Sequence, residues 1–223
     1  MGSIAAGLVL VRGLVAQGAP PGPGGPTADE ALQRLLAGNQ RFMKGETASP
    51  RRTPEDFRPL AAGQRPVAVI LGCADSRVPP ELLFDQGVGD LFIVRVAGNV
   101  VDGGGAFVKG SIEYGVAELG VPLIMVLGHS ECGAVKAAIK HVDDRDPLPG
   151  ALGKLVSRIG PAVAKAKGMP GDRLGNAIRA NVTSGVQTLQ GLQPIIAPAV
   201  KGGQVKVVGA LYDLRTGGVT LTE

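Results

Sequence analysis

The two cysteines of this 223-residue chain lie in short motifs that also contain histidine, aspartate and arginine. Cys73 belongs to Gly-Cys-Ala-Asp-Ser-Arg (72–77), and Cys132 belongs to Gly-His-Ser-Glu-Cys-Gly (128–133). Two thiolates and the imidazole of His129 form a ligand set that suits zinc. Three protein ligands leave one coordination position open, which is typical of catalytic rather than structural zinc sites.

The same two cysteines could instead form a disulfide or a redox-active dithiol. A single disulfide matters most in small secreted domains. This chain is 44% hydrophobic and can form a large aliphatic core. It has no Cys-x-x-Cys motif, and a nearby histidine fits metal binding better than disulfide exchange. We therefore expect both thiols to bind metal.

The pattern of apolar runs predicts an α/β fold with a mostly parallel central sheet and flanking helices. The run 67–71 is continuously apolar, as expected for a strand buried on both faces, and three similar runs follow at 91–97, 123–127 and 205–211. Helix-compatible stretches alternate with these runs, which favours parallel pairing. They lie at about 28–44, 103–119, 131–141 and 174–191. A last run, 219–221, follows a Thr-Gly-Gly turn and could add an antiparallel edge strand.

Residues 27–223 are expected to form a single domain that binds the metal. Thr27 and Glu30 have the spacing of a capping box, which would start the first helix. The preceding stretch, 18–26, is rich in proline and glycine, so neither helix nor strand is expected there.

Residues 1–26 are interpreted as a flexible leader of a cytoplasmic protein. The apolar run 4–14 is not preceded by Lys or Arg and is interrupted by Arg12, which argues against a signal peptide. If residues 1–18 are nevertheless an export signal, the protein is exported or periplasmic. The run is too short and too broken to span a membrane.

The predicted topology brings the three ligands together. In a parallel sheet, ligands bind beyond the carboxyl ends of the strands. Cys73 follows the first predicted strand directly, His129 follows the third, and Cys132 opens the next helix. Ser130 is expected to cap that helix. The helix N-terminus adds N–H donors that suit an anionic ligand.

Asp75 and Arg77 are two residues apart beside the first ligand and can pair as carboxylate and guanidinium. In one interpretation Arg77 keeps Asp75 ionised and directed at whatever occupies the fourth metal position. In the other, Asp75 itself is the fourth ligand and closes the site. The sequence leaves both arrangements open.

Composition argues against a nucleic-acid partner. The net charge is only +4, acidic residues are interspersed with the basic ones, and aromatic residues make up 3% of the chain. A nucleic-acid surface needs a concentrated basic patch, and stacking on bases needs aromatic side chains. His141, the second histidine, lies in a polar run and is expected to face solvent.

The two motifs together resemble those of the β-class carbonic anhydrases, and the similarity extends from about Glu30 to Tyr212. The resemblance implies reversible hydration of carbon dioxide to bicarbonate and a proton. It implies one zinc ion per subunit, with Asp75 and Arg77 as a catalytic dyad. It also implies a homodimer or larger homo-oligomer with active sites at the subunit interface. The implied zinc ligands are Cys73, His129 and Cys132.

Further positions match residues that line the substrate pocket in plant-like members of that family. Gln64 matches a glutamine that binds substrate across the interface, Phe92 an aromatic wall, and Tyr114 a pocket tyrosine. Ala97 stands where valine is frequent, which predicts a roomier wall. The amide of Gly133 is expected to steady substrate oxygens. The chain has no tryptophan, which a bicarbonate-regulated subset uses, and this favours an open zinc site with water on the metal.

Two other functions fit the same motifs. A zinc hydrolase on this scaffold could act on carbon disulfide or carbonyl sulfide, because hydroxide attack is common to all three substrates. A non-catalytic zinc- or bicarbonate-binding protein is disfavoured, because a structural site would not require Asp75, Arg77 and Gln64.

Overall fold

Five strands form one central sheet in the part of the chain that the computed structural model describes, residues 24–48, 52–102 and 105–222. They are β1 (Ala68–Gly72), β2 (Leu91–Arg95), β3 (Leu123–His129), β4 (Lys206–Tyr212) and β5 (Val219–Leu221). Their order across the sheet is β2-β1-β3-β4-β5; the first four are parallel, and β5 runs antiparallel to β4. The predicted α/β class, parallel sheet and antiparallel edge strand are confirmed.

Helices cover both faces of this sheet. They are α1 (Ala28–Lys44), α2 (Pro54–Phe57), α3 (Pro80–Leu83), α4 (Gly105–Ala117), α5 (Gly133–Asp144), α6 (Leu152–Ala166), α7 (Arg173–Gln190) and α8 (Ile196–Lys201). Short 3₁₀-helices span Arg58–Ala62 and Ala97–Asn99. The four helices expected from the sequence correspond to α1, α4, α5 and α7.

Helix α6, which has 15 residues, was not predicted from the sequence. A proline inside a helix removes one backbone hydrogen bond, so Pro161 makes this stretch a poor helix candidate. In the structure Pro161 is exposed, while Ile159 and Val163 on the same helix are buried among residues of α5 and α7. Tertiary packing therefore offsets the proline.

The alternation of β1 side chains between two apolar layers explains why the strand is apolar throughout. Ile70 packs in one cluster with Leu35 of α1, whereas Leu71 packs in another with Val182 of α7. Every residue of β1 is buried. A strand covered on both faces has no position for a polar side chain until it ends. Polar and reactive residues therefore begin just beyond its carboxyl end.

The α1 helix begins as predicted and is fixed to the sheet by a buried asparagine. Thr27 Oγ1 accepts from Glu30 N at 3.2 Å, and Glu30 Oε2 accepts from Thr27 N at 2.8 Å, which completes the capping box. Further along, Asn39 Nδ2 donates to Leu83 O and Gly217 O, while its Oδ1 accepts from Val219 N. These three bonds connect α1 with α3 and with the edge strand β5.

Replacement of Gly38 by alanine is expected to lower the free energy of unfolding by about 3 kcal/mol, because a Cβ has no space there. An ideal Cβ at this position would lie 1.8 Å from Phe84 O, and a backbone atom cannot rotate away as a flexible side chain can. Urea denaturation measures the change.

Gly153→Ala is the matched control for this variant. Its Cβ would meet Leu148 only at 3.8 Å, an ordinary contact, so its stability should equal or slightly exceed that of the wild type. A Gly38→Ala protein as stable as the wild type would contradict this close packing of α1.

The flexible leader or export signal expected at the N-terminus falls within residues 1–26, and of these 1–23 lie outside the described residues. The described helices include none that is both long and apolar enough to cross a bilayer.

Candidate metal centre

The ends of two neighbouring parallel strands bring the predicted ligands together. Gly72, the last residue of β1, pairs with Leu127 of β3. Cys73 follows β1 directly, His129 is the last residue of β3, and Cys132 is the N-cap of α5. The carboxyl ends of parallel strands lie at the same edge of the sheet. The end of β3 and the turns that follow β1 and β3 therefore place all three side chains at that edge.

The three side chains form a buried cluster with the dimensions of a metal site. One ligand atom from each of Cys73, His129 and Cys132 lies within 4.8 Å of the other two. Their relative exposures are 4%, 0% and 1%. Two sulfurs and one imidazole nitrogen at such separations fit the ligand preference of zinc.

The hydrogen bonding of His129 directs its second nitrogen to the cluster. Nδ1 lies 2.9 Å from Ser130 O, and because a carbonyl oxygen only accepts, Nδ1 must carry the proton. In the neutral ring, Nε2 then presents a lone pair. Nε2 is buried and has no hydrogen-bond partner among the described residues. An unpartnered buried nitrogen is costly in an apolar core, and a bound cation would satisfy it.

The two buried thiols shift each other's pKa in opposite directions. The pKa of Cys73 is lowered to about 4, chiefly by a hydrogen bond with Cys132 and further by the Gly98 N–H, although burial opposes the change. The same hydrogen bond and burial raise the pKa of Cys132, although the backbone N–H groups of Val135 and Ala134 oppose the rise. The thiol of Cys73 therefore ionises more readily than that of Cys132, and a cation bound to both sulfurs would displace the remaining proton.

Arg77 holds the carboxylate of Asp75 beside the cluster. Asp75 Oδ1 accepts from Arg77 Nε at 2.9 Å and from its backbone N at 3.0 Å, and Oδ2 accepts from Nη2 at 2.7 Å. These hydrogen bonds hold the pKa of Asp75 well below its usual value. Oδ2, which accepts only one of them, lies 3.8 Å from His129 Nε2 and so faces the ligands.

Comparison with protein families matches residues 68–219 to the carbonic anhydrase family. Carbonic anhydrase 2 of Mycobacterium tuberculosis is 41% identical over 193 residues, covering 86% of this chain and 92% of the relative. Among solved structures, the β-carbonic anhydrase CcaA has a TM-score of 0.68 at 31% identity, covering 86% of this chain and 95% of that chain. The chain belongs to the β-carbonic anhydrase family. A tetrameric β-carbonic anhydrase from Sordaria macrospora also has a TM-score of 0.68, at 25% identity, covering 85% of this chain and 95% of that chain.

Of the five pocket positions expected for a β-carbonic anhydrase, two lie close to the ligands: Ala97 precedes a residue that contacts one ligand, and Gly133 follows another ligand in the chain. Ala97 begins the 3₁₀-helix whose next residue, Gly98, contacts Cys73, and Gly133 directly follows Cys132 as the first residue of α5. The N–H groups of the first helical turn have no partners within the helix, so this region offers donors close to the ligands.

The other three positions lie towards the β2 edge of the sheet. Phe92 pairs with Val69 in the interior of the strands, and its ring centroid is 5.9 Å from that of Tyr114 on α4. Gln64 is exposed and lines a cleft with Leu60. None of the three adjoins a ligand in sequence or in strand register, and their roles in the substrate pocket stay predictions.

Arg95 is a residue of the centre that the sequence analysis did not single out. It pairs with Gly72 in the sheet, and its guanidinium donates to Cys73 O at 2.9 Å and to Asp75 O at 2.5 Å. Arg95 thus fixes the backbone of the turn that carries both a ligand and the dyad. The only sequence signal was an arginine at the end of a predicted parallel strand. Its contact with the turn after β1 follows only when the register between the two strands is known.

The predicted cap by Ser130 is wrong, because α5 begins three residues later, at Gly133, with Cys132 as its N-cap. Ser130 instead joins β3 to the segment after β4. Its N–H donates to Tyr212 O at 2.8 Å, and its Oγ accepts from Leu214 N at 2.9 Å. The hydroxyl therefore steadies the strand end that holds His129.

His141 is less exposed than predicted. Its side chain is 18% exposed, and its Nδ1 lies 2.6 Å from Asp146 Oδ1. It lies in the last turn of α5, about 13 Å along the helix axis from Cys132. That distance argues against direct proton exchange with the ligand cluster.

Proposed function

We propose that this chain catalyses the zinc-dependent reversible hydration of carbon dioxide to bicarbonate and a proton, with one zinc ion in each subunit. The observation that carries the proposal is the buried cluster of Cys73, His129 and Cys132 with its ligand atoms within 4.8 Å of one another. The reaction is the general one of the family to which the chain belongs. When bound, zinc supplies Lewis acidity that makes hydroxide available from water near neutral pH.

Asp75 is the group that orients the attacking oxygen. A carboxylate has about four lone-pair sites, and Oδ1 uses two for Arg77 whereas Oδ2 uses one. The remaining site on Oδ2 faces the cluster and can accept the hydrogen of the nucleophile. Because the pKa of Asp75 lies below its usual value, the carboxylate stays ionised at neutral pH and acts only as an acceptor.

We infer that the site rests in the open arrangement. Both oxygens of Asp75 are held by Arg77, and the shortest of these bonds, 2.7 Å, is on the oxygen that faces the ligands. Coordination through Oδ2 would place the metal in competition with the guanidinium for that oxygen. The bidentate pair thus favours an Asp75 that acts on the fourth ligand over an Asp75 that replaces it.

Residues near the ligands can bind the substrate and its developing charge. The backbone N–H of Gly133 belongs to the first turn of α5, where the helix dipole favours negative charge. It is suited to hold an oxygen of bicarbonate as charge accumulates there. Ala97 contributes an apolar surface for uncharged carbon dioxide.

We propose that the active unit is a homodimer or a larger homo-oligomer. The Sordaria macrospora relative is tetrameric. On α4, Phe107 is 87% exposed and Tyr114 47% exposed, an apolar surface that a second subunit would cover. In such an assembly Gln64 of one subunit would complete the pocket of another.

Removal of metal with dipicolinate is expected to abolish hydration, measured by stopped flow with a pH indicator, and one equivalent of zinc should restore it. Elemental analysis of the untreated protein should give one zinc per chain. Both cysteines should resist alkylation until the metal is removed, because thiolates that bind zinc are shielded from electrophiles.

Each competing function predicts a different result in this experiment. A metal-free protein with full activity would overturn the proposal. Thiols that react equally before and after chelation would favour a dithiol redox protein. A zinc-loaded protein that turns over carbon disulfide or carbonyl sulfide but not carbon dioxide would favour the related hydrolase.

A further inference from the structure

A chain of two hydrogen bonds connects helix α7 with the ligand Cys73. The backbone N–H of Gly98 donates to Cys73 Sγ at 3.3 Å. The carbonyl of the same residue accepts from Asn181 Nδ2 at 2.8 Å. Gly98 lies just after β2, Cys73 just after β1, and Asn181 within α7, so three distant segments meet at this glycine.

Gly98 has a backbone conformation that glycine adopts more readily than other residues. Its φ of +70° lies in the left-handed region, where glycine is favoured. A Cβ there would lie 2.8 Å from Ile159 Cδ1, so a larger residue would have to displace the end of that side chain. Glycine is also the residue with the most backbone freedom, so an external contact is needed to keep its N–H directed at the sulfur.

Asn181 provides that contact from a rigid element. Asn181 is 7% exposed and lies on an 18-residue helix that packs against α6 and the sheet. The Gly98 carbonyl accepts a hydrogen bond from the Asn181 amide. This bond limits rotation of Gly98 about its backbone bonds. A change at Asn181 should therefore reach Cys73 although the two residues do not touch.

We propose that Asn181 is a positioning residue for the metal, acting through Gly98 on the sulfur of Cys73. The inference depends on the proposed function only in that Cys73 is a zinc ligand. Hydrogen bonds to a ligating group orient it and tune its electron donation, and their loss typically weakens metal binding by 10–100-fold. Asn181→Ala should show a loss of this size.

The test uses Asn181→Ala in the full-length protein with two measurements. Competition with a chromophoric chelator gives zinc affinity, which should fall by about 10–100-fold. In the Co²⁺-substituted protein, the sulfur-to-cobalt charge-transfer band should move to longer wavelength, because a thiolate that loses an N–H donor gives up its electrons more easily. A purely structural role of Asn181 would leave this band in place.

Val186→Ala is the matched control, because Val186 lies on the same helix near Gly209 and away from Gly98. It should lower stability without moving the band or the affinity. Asn181→Leu retains the side-chain volume but removes the donor, and it replaces the alanine variant if that variant does not fold.

Wild-type affinity and spectrum in either Asn181 variant would overturn the inference while leaving the proposed function intact. Equal changes in the Asn181 variants and in Val186→Ala would also overturn it, because the effect would then follow from destabilisation of α7. A wild-type protein that binds no stoichiometric zinc would instead remove the proposed function itself.

Discussion

Replacement of Cys73 by serine is expected to abolish both stoichiometric zinc binding and the hydration of carbon dioxide. The substitution removes one of two thiolates, and a hydroxyl group is not ionised at neutral pH and is a poor zinc ligand. It also replaces the sulfur that accepts from the Gly98 N–H with an oxygen held closer to Cβ, which weakens a contact that orients the turn after β1. Metal analysis and stopped-flow hydration measure the two losses.

The neighbouring substitution Ala74→Ser is the control for Cys73→Ser. It introduces the same hydroxyl one position later, on an exposed residue whose backbone N–H already donates to Val96 O. Zinc content and turnover should remain those of the wild type. A Cys73→Ser protein that is fully active without zinc would exclude the metal centre as the site of the reaction.

Asp75→Asn is expected to retain zinc and lose hydration activity by about 100-fold or more, the usual size of a proton-handling contribution. The amide has nearly the shape of the carboxylate but lacks its charge and presents a donor where an acceptor is needed. The comparison is made at equal zinc loading, with kcat/KM from initial rates. Unimpaired hydration in the zinc-loaded variant would remove Asp75 from the mechanism.

Arg77→Lys separates the charge of the dyad from its geometry. Lysine retains the positive charge but cannot form the two parallel bonds that hold both oxygens of Asp75. We expect the turnover of this variant to lie between that of the wild type and that of Asp75→Asn.

The pKa of Asp75 is held below the usual value for an aspartate. Protonation of Asp75 should therefore not limit the wild-type rate at any pH equal to or above that usual pKa.

The ligand cluster could be predicted because local sequence and topology agree. Strands buried on both faces are recognisable as apolar runs, and the residue after each run must lie at the carboxyl edge of the sheet. Cys73 and His129 satisfy that rule, and Cys132 follows within one turn. The dyad could be predicted because its two members are separated by a single residue.

The surrounding contacts could not be predicted because they depend on register and helix packing. Arg95 reaches the turn after β1 only because β2 pairs with β1 in one register. Asn181 reaches Gly98 from α7, 83 residues away in sequence. Helix α6 was missed because Pro161 opposes a helix locally, whereas burial against two other helices favours one. None of these causes appears within a short window of sequence.

The separation of the two thiols along the chain has a consequence for biosynthesis. Between Cys73 and Cys132 the ribosome must produce β2, α4 and β3, which takes seconds at about 5–20 residues per second. Until β3 is complete, Cys73 has neither the imidazole nor the second thiol beside it, and β1 lacks its neighbour β3. The nascent chain therefore exposes a single thiol to cellular oxidants, and this thiol must stay reduced until the other two side chains of the cluster have been made.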